Sequence, residues 1–330
     1  MTMLDGIETR KVVREDGTKI AYSVVGNGPL ILLVHGFPES WYSYRHIIPP
    51  LAEAGYQVAA IHVRGYGESD KPSEVEAYLS RTNADDIVAV IDDLGHERAV
   101  LVGHDWGSVL VQTAAILHPD RLSGLVTLSV PVFEPLPAPA SEVTAQIFPD
   151  NMFYQHYFNV PGQAEREIDA DPERFLRIFF HYMSGQHPVD ENILVRPKGS
   201  TALMEGLTAP ESLPAWLTAD DLAYYLKSFA EGGFTGPLNR YRAWDLDFPD
   251  LIGTEDLRVT APTLFIGGDL DPSRWIYGVD SYADPLSRCD DPRGLHMVAG
   301  VGHWIQQEAP HDVVVHMLTF LSDLREENRL

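Results

Sequence analysis

Cysteine is almost absent from the chain. Cys289 stands alone among 330 residues, which excludes an internal disulfide and any fold stapled by one. Positive charge is scarce too: Lys and Arg total 24 against 48 Asp and Glu, a formal net charge of −24. A surface of that sign repels phosphate backbones and anionic lipid, so nucleic-acid binding and membrane-surface roles fall away. Long apolar runs are missing as well. The opening "MTMLDGIETRKVVRED" has no signal-type apolar core, and no stretch is long and apolar enough to span a bilayer. The expectation is a soluble, cytoplasmic protein. What the chain does have is 45% hydrophobic residues, ample for a large core, and a length that suits two domains or one domain with a big insertion.

The first third alternates short apolar runs with amphipathic stretches. "KIAYSVV" after the turn "EDG" reads as the second strand of a hairpin, and "LILLVHG" as a strand buried on both faces. "SWYSYRHIIPPLAEAG" reads as a helix ending at Gly55, which the two prolines must break or shift. Then come "QVAAIHV" (strand), "TNADDIVAVIDDLG" (helix, capped at its start), "AVLVGH" (strand), "SVLVQTAAILHP" (helix) and "LVTLSV" (strand). Strands separated by helices imply right-handed crossovers and a parallel, doubly wound sheet. From residue 131 to 256 the chain turns rich in aromatics and prolines and reads as helices with long connections. Alternation resumes with "PTLFIGG", "LHMVAG" and the amphipathic "HDVVVHMLTFLSDL". The expected organisation is an α/β core in two parts, residues 1–130 and 257–330, interrupted by a helical insertion over 131–256. There are no internal repeats.

Three stretches carry chemistry. "VGHDWGS" has the pattern of a serine hydrolase's nucleophile turn, with Asp105 in the serine's place. A sharp strand-to-helix turn leaves no room for side chains two positions either side of its centre, and Gly103 and Gly107 meet that need. A carboxylate there lies at a helix N-terminus, which favours its ionised form, and the N–H of Trp106 would point into the site. The same Asp also reads as an ordinary N-cap. "HGFPES" ends an earlier strand; its Phe37 N–H is placed to serve as a second oxyanion donor, with Pro38 fixing the turn. His35 reads as a loop histidine bonded to backbone. "AGVGHWIQQE" puts His303 just past a late strand, a position for a general base, and the order nucleophile, acid, histidine is that of α/β-hydrolases. For the acid, "LFIGGDLDPS" offers Asp269 and Asp271, the second better placed beyond the strand end. Glu134, past "LVTLSV", is a third candidate.

Together these stretches make the chain resemble an epoxide hydrolase of the α/β-hydrolase superfamily, of the bacterial soluble type. "HGFPESWYSYR", "RGYGES", "GHDWGS", "GFTGPLNRY" and "GHWIQQE" stand in that family's order along nearly the whole chain. The resemblance implies an α/β-hydrolase fold with a helical lid. It implies Asp105 as nucleophile, His303 as base, Asp271 as orienting acid, and Phe37 and Trp106 as oxyanion-hole amides. Two lid tyrosines would donate to the epoxide oxygen: Tyr154, with Tyr157 as a neighbour that could be confused with it, and Tyr241. The reactants would be an apolar epoxide and water, with no cofactor and no metal; oligomeric state stays open, a homodimer included. His62, Arg240 and Tyr44 depart from the pattern, where an aspartate, a bulky aromatic and a tryptophan are usual. A haloalkane dehalogenase shares the Asp nucleophile, but Phe37 offers no side-chain donor for a halide and the tyrosine pair would be surplus. A non-catalytic binding protein on the same fold would have no use for an intact nucleophile, base and acid.

Overall fold

A computed structural model describes residues 6–132, 134–187, 193–251, 253–254 and 256–330. Among them, eight strands form one sheet: β1 (Glu8–Val13), β2 (Lys19–Val25), β3 (Leu30–Val34), β4 (Gln57–Ile61), β5 (Ala99–His104), β6 (Leu122–Leu128), β9 (Val259–Gly268) and β10 (Cys289–Val298). A short ribbon, β7 (Asn151–Phe153) with β8 (Val195–Pro197), stands apart from it. The order across the sheet is β1-β2-β4-β3-β5-β6-β9-β10. β1, β2 and β4 pair antiparallel; every pairing from β4 through β3 to β10 is parallel.

The central strands show why the sheet is covered on both faces. Along β3, Leu30, Leu32 and Val34 enter one apolar core, while Ile31 and Leu33 enter the other. Side chains alternate across a strand, so a continuous apolar run needs helices on each side. α2 (Ser80–Asp93) and α3 (Trp106–Leu117) cover the first face; α1 (Ile48–Glu53) and α11 (Pro310–Glu326) cover the second. Between β6 and β9 lie α4 (Ala140–Ile147), α5 (Tyr154–Asn159), α6 (Gln163–Ala170), α7 (Pro172–Tyr182), α8 (Ala219–Ala230) and α9 (Thr235–Asp250), and the short α10 (Ile305–Glu308) precedes α11. The chain thus has the α/β-hydrolase fold with an inserted helical region. No helix of the described residues is long and apolar enough to cross a membrane.

Two local expectations are corrected. The stretch from Trp41 to Gly55 is not one helix: a 3₁₀ turn occupies Trp41–Tyr44, and α1 starts only at Ile48 with prolines in its first turn, where their missing N–H groups cost nothing. The α2 helix is not capped at Thr82 but begins at Ser80, after Leu79, with no side-chain cap. Asp247 of α9 takes over instead, accepting from the Ser80 amide at 2.7 Å and its hydroxyl at 2.8 Å. A carboxylate distant in sequence thereby does the capping.

In this sheet order β3 has β4 on one side and β5 on the other, so the chain winds in opposite directions from that point. Open α/β sheets bind ligands in the crevice at such a reversal, beyond the carboxyl ends of the strands. The loops after β3, β5, β9 and β10 carry Phe37, Asp105, Asp271 and His303, respectively.

Candidate active site

Asp105 occupies the single residue between β5 and α3, with φ 52° and ψ −123°. A non-glycine residue with positive φ is strained, and such strain persists only where the surroundings impose it. Here they do. A Cβ on Gly107 would come within 1.9 Å of the Val34 carbonyl, and one on Gly103 within 2.4 Å of the Gly107 carbonyl. The turn closes only because both positions are bare. Trp106 opens α3 directly after Asp105, so its N–H has no partner within the helix.

The Asp105 carboxylate is held at both oxygens. Oδ1 accepts from the Phe37 amide at 2.8 Å, and Oδ2 lies 3.5 Å from His303 Nε2. On the far side of the imidazole, His303 Nδ1 is 3.0 and 3.2 Å from the two Asp271 oxygens. Asp271 itself accepts from the Ser273 amide (2.8 Å) and hydroxyl (2.7 Å) and from the Tyr282 hydroxyl (2.7 Å). The other two acid candidates lie elsewhere. Asp269 is exposed and accepts from the Gly300 amide at 2.7 Å, while Glu134 is exposed, 3.7 Å from Arg288.

Burial opposes charge on this row, and opposite charges overcome it. Burial pushes the Asp271 carboxyl up, but His303, Tyr282 and Ser273 hold it below the usual carboxylate range. Burial pushes His303 toward the neutral form, yet Asp271 and Asp105 together raise it well above the usual histidine range. The two flanking carboxyl groups thus favour the protonated form of His303.

Tyr154, at the start of α5, lines the chamber that contains Asp105. Tyr241, on α9, packs edge-to-face on Trp106 (5.1 Å between ring centroids), Phe37 (5.3 Å) and Tyr154 (5.8 Å). Burial first, and then neighbouring groups including Asp105, raise both phenols well above the usual tyrosine range, so both remain protonated donors. Tyr157 points elsewhere, its hydroxyl engaged by Glu167.

The departures each have a local account. His62 accepts from the Glu68 amide through Nδ1 at 3.1 Å and meets the Ser23 hydroxyl at Nε2. Burial pushes it down to about 3, so a neutral ring supplies the acceptor that a carboxylate would otherwise supply. The Tyr44 hydroxyl donates to the Val34 carbonyl at 2.8 Å. The Arg240 guanidinium lies 4.9 Å over the Trp106 ring and bonds to Asp247 and the Tyr78 carbonyl, so a cation packs on Trp106 beside the aromatic rings that also touch it. His35 is bound to backbone on both sides, at the Gly36 carbonyl and the Val63 amide.

Sequence reasoning missed a second buried row. His104, immediately before Asp105, has Nδ1 2.6 Å from a Glu39 carboxyl oxygen and donates from Nε2 to the His303 carbonyl at 2.7 Å. Glu39 also accepts from the Gly36 amide at 3.0 Å and the Gln306 side chain at 2.7 Å. His104 and Glu39 are each fully buried, and together they tie the Phe37 loop to the His303 loop. Their only trace in the sequence is adjacency to the motifs, in "HGFPES" and "VGHDWGS". Gly36 was missed too: a Cβ there would meet Asp105 Oδ1 at 2.2 Å.

Fold and site together define an α/β-hydrolase whose strand-to-helix turn carries a carboxylate. The family model for the alpha/beta hydrolase fold matches residues 29–310. "Epoxide hydrolase A" of Mycobacterium tuberculosis is 38% identical over 97% of this chain and 99% of its own length. "Epoxide hydrolase B" of the same organism is 39% identical over 90% and 92%. A solved epoxide hydrolase from an endophytic Streptomyces superposes with a TM-score of 0.92 at 41% identity, covering 98% of this chain and 97% of the other. The chain belongs to the epoxide hydrolase family of the α/β-hydrolase fold, hydrolases that act on ether bonds.

Proposed function

We propose that the protein hydrolyses apolar epoxides to vicinal diols through an ester on Asp105. The observation that supports this best is the row Asp105–His303–Asp271, with the Phe37 amide on the first carboxylate and two protonated tyrosines on the lid side. In this reading residues 131–256 form the lid, and residues 1–130 and 257–330 the two parts of the core.

An epoxide carbon offers no carbonyl for a serine alkoxide to add to, and must be opened from behind. An ionised carboxylate does this without prior deprotonation. An Asp105 oxygen forms a bond to the epoxide carbon as the C–O bond breaks, and Tyr154 or Tyr241 gives its proton to the departing oxygen. The resulting tyrosinate regains a proton at the expense of the His303 imidazolium. That transfer is favoured at this stage, because ester formation removes the Asp105 charge and leaves Asp271 as the only carboxylate supporting the cation. Neutral His303, held by Asp271, then takes a proton from water as the water attacks the ester carbonyl. The amides of Phe37 and Trp106 stabilise the tetrahedral oxyanion. Collapse expels the alkoxide, which takes the second proton of the attacking water and leaves as the diol, and restores Asp105 as a carboxylate beside a protonated His303.

Diol formation from a panel of aryl and alkyl epoxides tests the reading, with Asp105→Ala as the blank. Diol well above that blank is the expected result. Equal product from both proteins would remove Asp105 from the mechanism.

A further inference from the structure

Three consecutive amides around the candidate base, those of Gly302, His303 and Trp304, lie in the loop between β10 and α10, where neither a sheet ladder nor a helix takes them. All three residues are buried, and a buried N–H without an acceptor is costly. Each has one. The Gly302 amide donates to Glu308 Oε2 at 3.2 Å, the His303 amide to the Met183 carbonyl at 2.8 Å, and the Trp304 amide to Glu308 Oε1 at 3.1 Å. Glu308 closes the single turn of α10 and reaches back across it to the N-cap residue Trp304. The acidic residue of a capping box does the same from one position earlier. Its Oε2 also accepts from the Ser184 hydroxyl and the Gly185 amide, both at 2.9 Å. One carboxylate thus joins the residues on either side of His303 to the segment that follows α7 in the inserted region. The two segments meet backbone on backbone. A Cβ on Gly302 would lie 2.2 Å from the Gly185 nitrogen, and one on Gly185 would lie 2.5 Å from the Gly300 carbonyl.

We propose that Glu308 is a positioning residue for ester hydrolysis: it hangs the His303 loop from the Met183–Gly185 segment, and this sets where the imidazole stands over the ester. The inference rests on the epoxide-hydrolase reading. The His303 carbonyl is fixed from the core, by the His104 ring and the Ser129 hydroxyl. A peptide held at one end only can still turn about that end; the amide side, held by Glu308 and Met183, removes the remaining freedom. Ring opening does not depend on this anchor. It uses Asp105, which the Phe37 amide holds, and Tyr154 and Tyr241, which stand on α5 and α9. The four bonds of Glu308 go to backbone amides and to Ser184, and to none of those groups. Hydrolysis does depend on it, because the imidazole must reach a water that is itself in line with the ester carbonyl. A misplacement of about 1 Å costs up to about a hundredfold in such a step.

The test follows the ester on Asp105 through a single turnover of styrene oxide, by rapid quench and intact-protein mass, in wild type, Glu308→Gln and Gly185→Ala. The glutamine turns an N–H₂ toward N–H groups that need an acceptor. The alanine leaves the carboxylate in place and pushes the segment after α7 off the His303 loop. Both variants are expected to form the ester within about threefold of the wild-type rate and to hydrolyse it at least about tenfold more slowly, so that ester accumulates. A packing role alone would lower Tm and slow both steps in proportion. Proportional slowing, or hydrolysis at the wild-type rate in either variant, overturns the positioning role and spares the activity. Neither ester nor diol from wild type, with styrene oxide or with 1,2-epoxyhexane, overturns the reading on which the role rests. Should Glu308→Gln fail to fold, Gly185→Ala decides by the same two rates.

Discussion

At the residue scale, the proposed chemistry turns on His303. Its neighbours are two carboxylates, and its protonation depends on how many of them are charged. In the proposed mechanism Tyr154 and Tyr241 serve one step and the Asp271–His303 pair the other, so the two separate in single-turnover kinetics. Tyr241→Phe is expected to slow ester formation about tenfold or more and to slow ester hydrolysis less; equal slowing of both steps would contradict the assigned role. Asp271→Asn is expected to accumulate the ester, visible as a mass increment on the protein. Asp269→Asn, on an exposed residue bonded only near Gly300, is expected to accumulate none; an ester trapped by that variant instead would reassign the acid. His303 also links stability to pH. Its folded-state pKa is raised, so its stabilising contribution is complete below the unfolded value of about 6.5 and is lost as pH rises through the folded value. Denaturant unfolding of wild type and His303→Gln should therefore show a stability gap that is widest near pH 6 and narrows steadily toward alkaline pH. A gap that widens with pH would contradict the imidazolium. Asp105, His303 and Asp271 were all legible as candidates, because each follows a recognisable strand end. The preference for Asp271 over Asp269 was not something the turn "GDLDPS" could settle, since both aspartates are two residues apart in one loop. The distinction came from Tyr282 and Ser273, which turn one of them inward.

At the element scale, the inserted helices are tied to the rest of the fold by buried polar contacts that local sequence does not announce. Asp247 of α9 accepts from both groups of Ser80 at the start of α2 and also pairs with Arg240, each residue of that pair being about 95% buried. Asp247→Ala would strand the Arg240 cation, uncap α2 and loosen the cation–π contact on Trp106. Removing one partner of a buried pair costs about 3–5 kcal/mol, so urea denaturation should give a midpoint far below wild type; a loss under about 1 kcal/mol would mean that Arg240 finds another partner. Elsewhere in the inserted region, the Met183 carbonyl accepts from the His303 amide at 2.8 Å, and Glu308 accepts from Ser184, Gly185 and Gly302. The "GHWIQQE" stretch therefore does two jobs: it presents the histidine and it docks the segment after α7. The sequence read α3 and α11 well from their apolar periodicity, but misread the start of α2 and the 41–55 stretch. Prolines and a distant carboxylate, rather than periodicity, set those boundaries.

At the scale of the whole molecule, charge works against compactness. A net charge of −24 adds self-repulsion to the folded state, and most of the ion pairs at the centre are buried and little screened by salt. Raising sodium chloride from about 20 to 200 mM, where the Debye length shortens to below about 10 Å, should raise Tm at pH 7.5. The shift should shrink toward pH 4.7, where the net charge vanishes. An equal shift at both pH values would mean that salt acts on something other than net charge.

The sequence alone determined the alternation of strands and helices and the glycines of the turn on which Asp105 sits. These are local properties: side-chain period, glycine where a Cβ cannot fit, and motif order along the chain. Only the tertiary structure decided which aspartate faces His303, that His104 and Glu39 bridge the Phe37 and His303 loops, that Gly36 must be bare, and that a large apolar chamber opens beside a small one. Each of those depends on segments far apart in the chain meeting at the end of one sheet, and periodicity within a segment carries no record of what it will meet.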